Sequence, residues 1–157
     1  TLKTDRWYEN AVSVERGPLV YALKVEEKWV KKDSRHPRYG KTYWEVYPQS
    51  PWNYALYQSD LDMIGEKYEV VVDKDKLESD WYWNIESVPV SIKAKGTRID
   101  DWTLVNGYAG PVPYSKIFRK CTSKVSNHES KGKWEDITLI PYGATTLRIS
   151  EFPVVTR

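Results

Sequence analysis

The chain has 157 residues and a mass of 18.4 kDa, which is the size of one ordinary domain. Hydrophobic residues make up 40% and charged residues 29%, and no run approaches the roughly 20 apolar residues of a membrane-spanning helix, so a membrane partner is not expected. The 24 basic and 22 acidic residues nearly balance, which argues against nucleic acid as the main partner.

The aromatic composition is skewed towards rings with a polar group. Twelve Tyr and eight Trp stand against two Phe. Tyr and Trp suit half-exposed positions, because one end of the side chain is apolar and the other forms hydrogen bonds. Together with the many Val and Thr residues, this composition favours strands over helices.

Short segments of alternating or β-branched residues, separated by Gly and Pro, predict strands along the chain. In residues 88–95 one face carries Val, Val, Ile and Ala, and the other carries Pro, Ser, Lys and Lys. The predicted strands are 10–16, 19–25, 42–47, 53–58, 67–73, 88–95, 134–140 and 144–150. No helical pattern persists for three turns. The sequence therefore predicts an all-β fold, an antiparallel jelly-roll-like β-sandwich with little or no helix.

The segments between these strands are predicted to be turns and loops. Residues 31–41 form a basic loop, residues 106–114 are rich in Gly and Pro, and residues 119–133 are polar and expected to be mobile. Gly96 is expected to end its strand, and Gly143 to connect the last two strands. The abrupt polar start at Thr1 favours a single domain, 1–157, that belongs to a longer protein.

No constellation for catalysis or metal binding is found in the sequence. Cys121 is the only cysteine, so it cannot form an internal disulfide. His36 and His128 lie far apart in polar loops, and the acidic run 73–80 is interleaved with lysines and lacks the pattern of a calcium loop. We therefore expect no metal, no cofactor and no catalytic residue in this chain.

Two aromatic clusters are the candidate binding residues. Trp52 and Tyr54 form one pair, and Trp81 and Trp83 share a face if their segment is extended. Such rings stack against sugars, and nearby Asn and Asp supply hydrogen bonds. The alternative is that the rings pack the core or a seam between domains, as a chain poor in Phe requires.

Two segments carry a family resemblance. Val14–Leu23 reads VERGPLVYAL and Thr138–Gly143 reads TLIPYG. In this order and spacing they resemble the C-terminal β-sandwich region of the bacterial β-L-arabinofuranosidase-type hydrolases, glycoside hydrolase family 127 and its relatives. Because both segments belong to that sandwich in the family, residues 10–25 and 134–151 are expected to be neighbours in one sheet.

The resemblance implies a function that is not catalytic. In the family a preceding helical barrel performs the chemistry, with a cysteine nucleophile held near zinc, and this sequence contains no counterpart of that barrel. We therefore expect an accessory domain that supports the catalytic barrel of the same parent chain. An autonomous carbohydrate-binding module is the alternative, and an enzyme in its own right is a third interpretation. The family also implies a periplasmic or extracellular location.

Overall fold

The computed structural model describes residues 1–36, 38, 40–78, 81, 83–115 and 133–156. Strands dominate this part of the chain, and its only α-helices are two single turns, which confirms the predicted all-β fold. No helix among these residues is long and apolar enough to span a membrane. The elements are β1 (Leu2–Arg6), β2 (Val12–Arg16), β3 (Leu19–Leu23), β4 (Glu27–Asp33), β5 (Thr42–Pro48), β6 (Tyr54–Tyr57), α1 (Gln58–Leu61), α2 (Ile64–Lys67), β7 (Glu69–Val72), β8 (Val90–Arg98), β9 (Leu104–Val105), β10 (Tyr108–Ala109), β11 (Trp134–Pro141) and β12 (Val154–Val155), with 3₁₀ turns at Tyr8–Asn10, Asp75–Glu78 and Tyr142–Ala144.

One curled sheet of eight strands forms the body of the described part of the protein. Its order is β1-β2-β3-β11-β8-β6-β12, and β7 also pairs with β8. All neighbours are antiparallel except β12, which runs parallel to β6. Leu139 of β11 lies opposite Leu23 of β3, so these two strands, which belong to the segments 134–151 and 10–25, are neighbours in the sheet.

The remaining described strands do not form a second large sheet. They form two separate hairpins, β4–β5 and β9–β10. The two-sheet sandwich, and with it the jelly-roll topology, is therefore not confirmed by the strands that the structure describes.

The main core lies against one face of the curled sheet, and a smaller core lies on the other side of β6. All four residues of β6 are buried. Tyr54 and Leu56 pack in the main core, whereas Ala55 and Tyr57 pack with Trp102 in the smaller one. This division follows from the alternation of side chains along a strand.

Residues 149–155 close the curled sheet. The Leu23 amide donates to the Ile149 carbonyl at 2.8 Å, and Val12 and Phe152 exchange two backbone hydrogen bonds at 2.9 Å. β12 then pairs with β6 on the opposite side of the sheet. One short segment thus forms backbone hydrogen bonds with β2 and β3 and also with β6.

Three local predictions were wrong for identifiable reasons. Gly96 lies inside β8, where an added Cβ would sit 3.2 Å from the side chains of Ile137 and Tyr54, so close packing explains the glycine. Residues 31–33 belong to β4 instead of the basic loop. Residues 144–150 form no strand, and the amides of Thr146 and Leu147 bind a side chain, as described below.

The predicted loop 106–114 also begins with regular structure. Asn106 and Gly107 adopt left-handed φ angles of 53° and 83° and connect β9 to β10. This is the geometry that an Asn-Gly pair adopts in a tight hairpin. Residues 116–132, including Cys121 and His128, lie outside the described residues. The mobility predicted for the loop 119–133 therefore stays a prediction.

Candidate functional site

An open groove of about 630 Å³ lies between the two hairpins and residues 146–149. Trp44 and Tyr47 of β5, Tyr108 of β10 and the half-buried Trp52 line it. Tyr108 is 77% exposed, and the rings of Trp44 and Tyr47 are also open to solvent. A concave site of this size, lined by aromatic rings and few polar groups, is typical of a binding site for a small ligand.

One wall of the groove is the hairpin β4–β5. Val46 of β5 lies opposite Trp29 of β4, and Trp44 lies opposite Lys31. The rings of Trp29 and Trp44 meet edge to face with centroids 6.4 Å apart, and the Lys31 ammonium lies 5.9 Å from the Trp44 ring centroid. These contacts hold the exposed Trp44 ring in place.

The carboxylate of Glu27 ties this hairpin to the third side of the groove. Its Oε1 accepts hydrogen bonds from the Thr146 amide at 2.7 Å, the Leu147 amide at 3.2 Å and the Thr145 hydroxyl at 3.1 Å. Its Oε2 accepts one from Trp29 Nε1 at 3.1 Å. These contacts join the hairpin to residues 145–147 and occupy the amides of Thr146 and Leu147 with a side chain.

The second carboxylate near the groove is engaged by tyrosines. Glu45 accepts hydrogen bonds from the hydroxyls of Tyr47 and Tyr43, the latter at 3.0 Å, and its Oε2 lies 3.8 Å from Lys32 Nζ. The Tyr47 hydrogen bond, followed by that of Tyr43, lowers the pKa of Glu45. Glu45 itself is among the residues that line the groove.

The other wall is the hairpin β9–β10, held by a buried tryptophan. Trp102 Nε1 donates to the Gly110 carbonyl at 2.9 Å, and the Trp102 ring packs edge to face on Trp52 with centroids 5.2 Å apart. The Gly110 amide donates to the Thr103 carbonyl at 3.1 Å. A Cβ at Gly110 would sit 2.9 Å from that carbonyl oxygen, so this close approach requires glycine.

Arg148 is the cationic residue in the lining of the groove. Its Nε donates to the Thr145 carbonyl at 3.1 Å, and its guanidinium carbon lies 4.9 Å from the Tyr142 ring centroid. A guanidinium stacked on an aromatic face is held in orientation by that face.

A second cleft of about 460 Å³ lies where the two family-like segments meet. Pro18, Leu19 and Val20 line one side, and Pro141, Tyr142 and Gly143 line another, together with the exposed rings of Trp7 and Trp83. A Cβ at Gly143 would lie 3.3 Å from the Trp83 ring, so the absence of a side chain there lets the ring rest on the backbone.

The structure separates the four predicted binding residues. Trp52 lines the groove, and Trp83 lines the second cleft. Trp81 is 63% exposed and lines neither, and neither Trp81 nor Trp83 lies in a strand. Tyr54 is a correction: it is only 6% exposed, because its ring packs in the main core and its hydroxyl donates to Glu135, so it offers no surface for stacking.

Trp44, Tyr47, Tyr108 and Arg148 line the groove but are not among the binding residues predicted from the sequence. The Asn106-Gly107 pair between short apolar segments is a hairpin signal that points to Tyr108. No local signal identifies Arg148, because its position depends on Glu27, which is distant in sequence.

Within the described ranges, no three His, Cys, Asp or Glu side chains are grouped as a metal site would require. A comparison of the chain with protein-family models, with curated proteins and with solved structures found no match.

Proposed function

We propose that this chain is a non-catalytic accessory domain of a bacterial carbohydrate-active enzyme, and that the groove between its hairpins binds glycan. The observation that carries this proposal is the grouping of the exposed Trp44, Tyr47 and Tyr108 rings around one groove. The C–H groups of a sugar ring carry slight positive charge and pack favourably on the negative face of an aromatic ring. The resemblance to β-L-arabinofuranosidase-type hydrolases supports the carbohydrate-active parent and the jelly-roll-like sandwich in which such a domain is found.

Glycan binding is tested by isothermal titration calorimetry with a panel of oligosaccharides. A double variant, Trp44→Ala with Tyr108→Ala, is expected to weaken binding by about tenfold or more, since each stacked ring contributes roughly 0.5–1.5 kcal/mol. Trp81→Ala is the matched control, because it removes an exposed tryptophan outside the groove. Equal losses in the control and the double variant would contradict the assignment to the groove, and no binding to any oligosaccharide would contradict glycan binding itself.

A structural role in the parent enzyme is the second candidate. The second cleft favours it, because both family-like segments line that cleft and exposed Trp7, Trp83 and Tyr142 surround it. In this role the cleft packs against the catalytic barrel of the same parent chain. A family barrel expressed separately is expected to co-elute with this chain and to lose the association in Trp83→Ala but not in Trp81→Ala. If both variants still co-elute with the barrel, the cleft is not the contact surface. If the unchanged chain does not co-elute with the barrel either, the structural role itself is contradicted.

The proposal also includes the absence of glycosidase activity in the isolated chain. The purified chain is expected to release no nitrophenol from aryl arabinofuranosides or other aryl glycosides. Sustained turnover above the buffer background would overturn the non-catalytic assignment.

A further inference from the structure

We propose that the groove is selective for acidic glycans, whose sugars carry carboxylates as hexuronic acids do, and that Arg148 recognises the carboxylate. This inference rests on the proposed function, because it names the class of glycan that the same groove binds. It predicts a preference that the aromatic rings alone do not supply, since neutral and acidic sugars offer the rings similar C–H faces.

The first observation is the state of the Arg148 guanidinium. Its Nε donates a hydrogen bond to the Thr145 carbonyl, and one face of the guanidinium lies against the Tyr142 ring. Its two terminal nitrogens form no hydrogen bond or ion pair with any residue in the described part of the chain. The group is thus oriented by the protein while most of its donors remain available.

The second observation is that the neighbouring carboxylates are already engaged. Glu27 accepts from the amides of Thr146 and Leu147 and from Trp29. Glu45, which also lines the groove, accepts from the Tyr43 and Tyr47 hydroxyls, and its Oε2 lies 3.8 Å from Lys32 Nζ. The carboxylates of Glu27 and Glu45 therefore have hydrogen-bond donors within the protein, whereas the Arg148 guanidinium keeps N–H donors that no group among the described residues uses.

The chemistry of these groups selects the ligand. A guanidinium presents two parallel N–H groups that match the two oxygens of a carboxylate, and such charge-assisted pairs are stronger than neutral hydrogen bonds. In a hexuronic acid the carboxylate projects from the rim of the sugar ring. A sugar stacked on Trp44 or Tyr108 can therefore direct that group to a cation lining the same groove.

The test compares acidic oligosaccharides with neutral ones of the same linkage. Calorimetry at low ionic strength is performed with α-linked and β-linked hexuronic acid oligosaccharides, each beside its carboxyl-reduced counterpart, and with polyglutamate as an acidic peptide. The variants are Arg148→Gln, Arg148→Lys and, as a control of equal charge change outside the groove, Arg16→Gln. Thermal unfolding of each variant establishes that it is folded.

At least one acidic oligosaccharide is expected to bind about tenfold or more tightly than its carboxyl-reduced counterpart, and to weaken as salt is added. Arg148→Gln is expected to bind the two forms alike, Arg148→Lys to retain part of the preference, and Arg16→Gln to retain all of it. If Arg148→Gln fails to fold, the Lys variant decides, because a full preference there contradicts bidentate recognition.

The outcomes separate this inference from the proposed function. Equal affinity of the unchanged chain for every acidic and neutral pair overturns the inference and leaves glycan binding intact. Failure to bind any oligosaccharide overturns both. Binding of polyglutamate as tightly as the best hexuronic acid oligosaccharide assigns the groove to acidic peptides and overturns the inference as well.

Discussion

Replacing Glu27 by alanine is expected to loosen the hairpin β4–β5 from the rest of the protein. The carboxylate makes three hydrogen bonds to residues 145–147 and one to Trp29, at distances of 2.7–3.2 Å. In the described strands β4 and β5 pair only with each other. Few other polar contacts therefore hold this wall of the groove in position.

The magnitude follows from these four bonds. Hydrogen bonds to a charged group contribute about 1.5–3 kcal/mol each when buried, but this site is half-buried and water replaces part of the loss. We expect Glu27→Ala to lower the free energy of unfolding by about 2–4 kcal/mol, which corresponds to a fall of roughly 5–15 °C in Tm for a domain of this size. Glu27→Gln is expected to lose less, because an amide oxygen still accepts from the 145–147 turn.

Urea unfolding followed by tryptophan fluorescence measures the loss, and calorimetry with the best oligosaccharide measures the groove. Glu26→Ala is the matched control: Glu26 is exposed and uses only backbone atoms in its hydrogen bonds to Gln49 and Ser50, so a change within about 0.5 kcal/mol is expected. A Glu27→Ala protein as stable as the control, or one with unchanged affinity for glycan, would refute the role given to this carboxylate.

Three further predictions concern buried or hydrogen-bonded acids. Tyr68 is buried and its hydroxyl has no hydrogen-bond partner among the described residues, so Tyr68→Phe is expected to leave stability unchanged or raise it by about 1 kcal/mol; a loss in urea unfolding would show that the hydroxyl is bonded. Burial, followed by the hydrogen bond to Glu135, raises the pKa of Tyr54 from 10.0 to about 12, so the folded state holds this proton more tightly than the unfolded state does. The stabilisation that results is complete below pH 10 and is lost as the pH rises to about 12. The free energy of unfolding is therefore expected to fall with pH over this interval, and this fall should be absent in Tyr54→Phe. The lowered pKa of Glu45 is expected to rise towards its ordinary 4.5 in Tyr47→Phe, and an unchanged carboxyl titration by carbon NMR would contradict the assigned hydrogen bond.

The strands of the main sheet were largely predictable because their signal is local. In β8 the alternation of Ile92 and Ala94 with Lys93 and Lys95 matches the observed burial. The short apolar run of β6 was also recognised, although not its burial on both faces, because that depends on Trp102 packing from a distant segment.

The groove was not predictable from the sequence, for two physical reasons. The hairpin strand β4 is rich in lysine, since both of its faces are largely exposed, so it resembles a loop in composition. The position of residues 145–148 is set by Glu27, and no periodic pattern records a contact between a side chain and a distant backbone amide. Trp52, one of the predicted glycan-binding residues, lines the groove, and its glycan contact stays a prediction.

The closing segment 149–155 also determines the order in which the fold can be completed during synthesis. β2, β3 and β6 leave the ribosome early, yet Val12 pairs with Phe152, and Leu56 pairs with Val154. Until those later residues emerge, the backbone edges at Val12 and Leu56 lack these pairing partners. Sheets that depend on such distant pairings fold slowly, and their unpaired strands are prone to aggregate in the meantime. The nascent chain therefore passes through an interval in which these strand edges are unpaired, and that interval ends when residue 155 becomes available to β6.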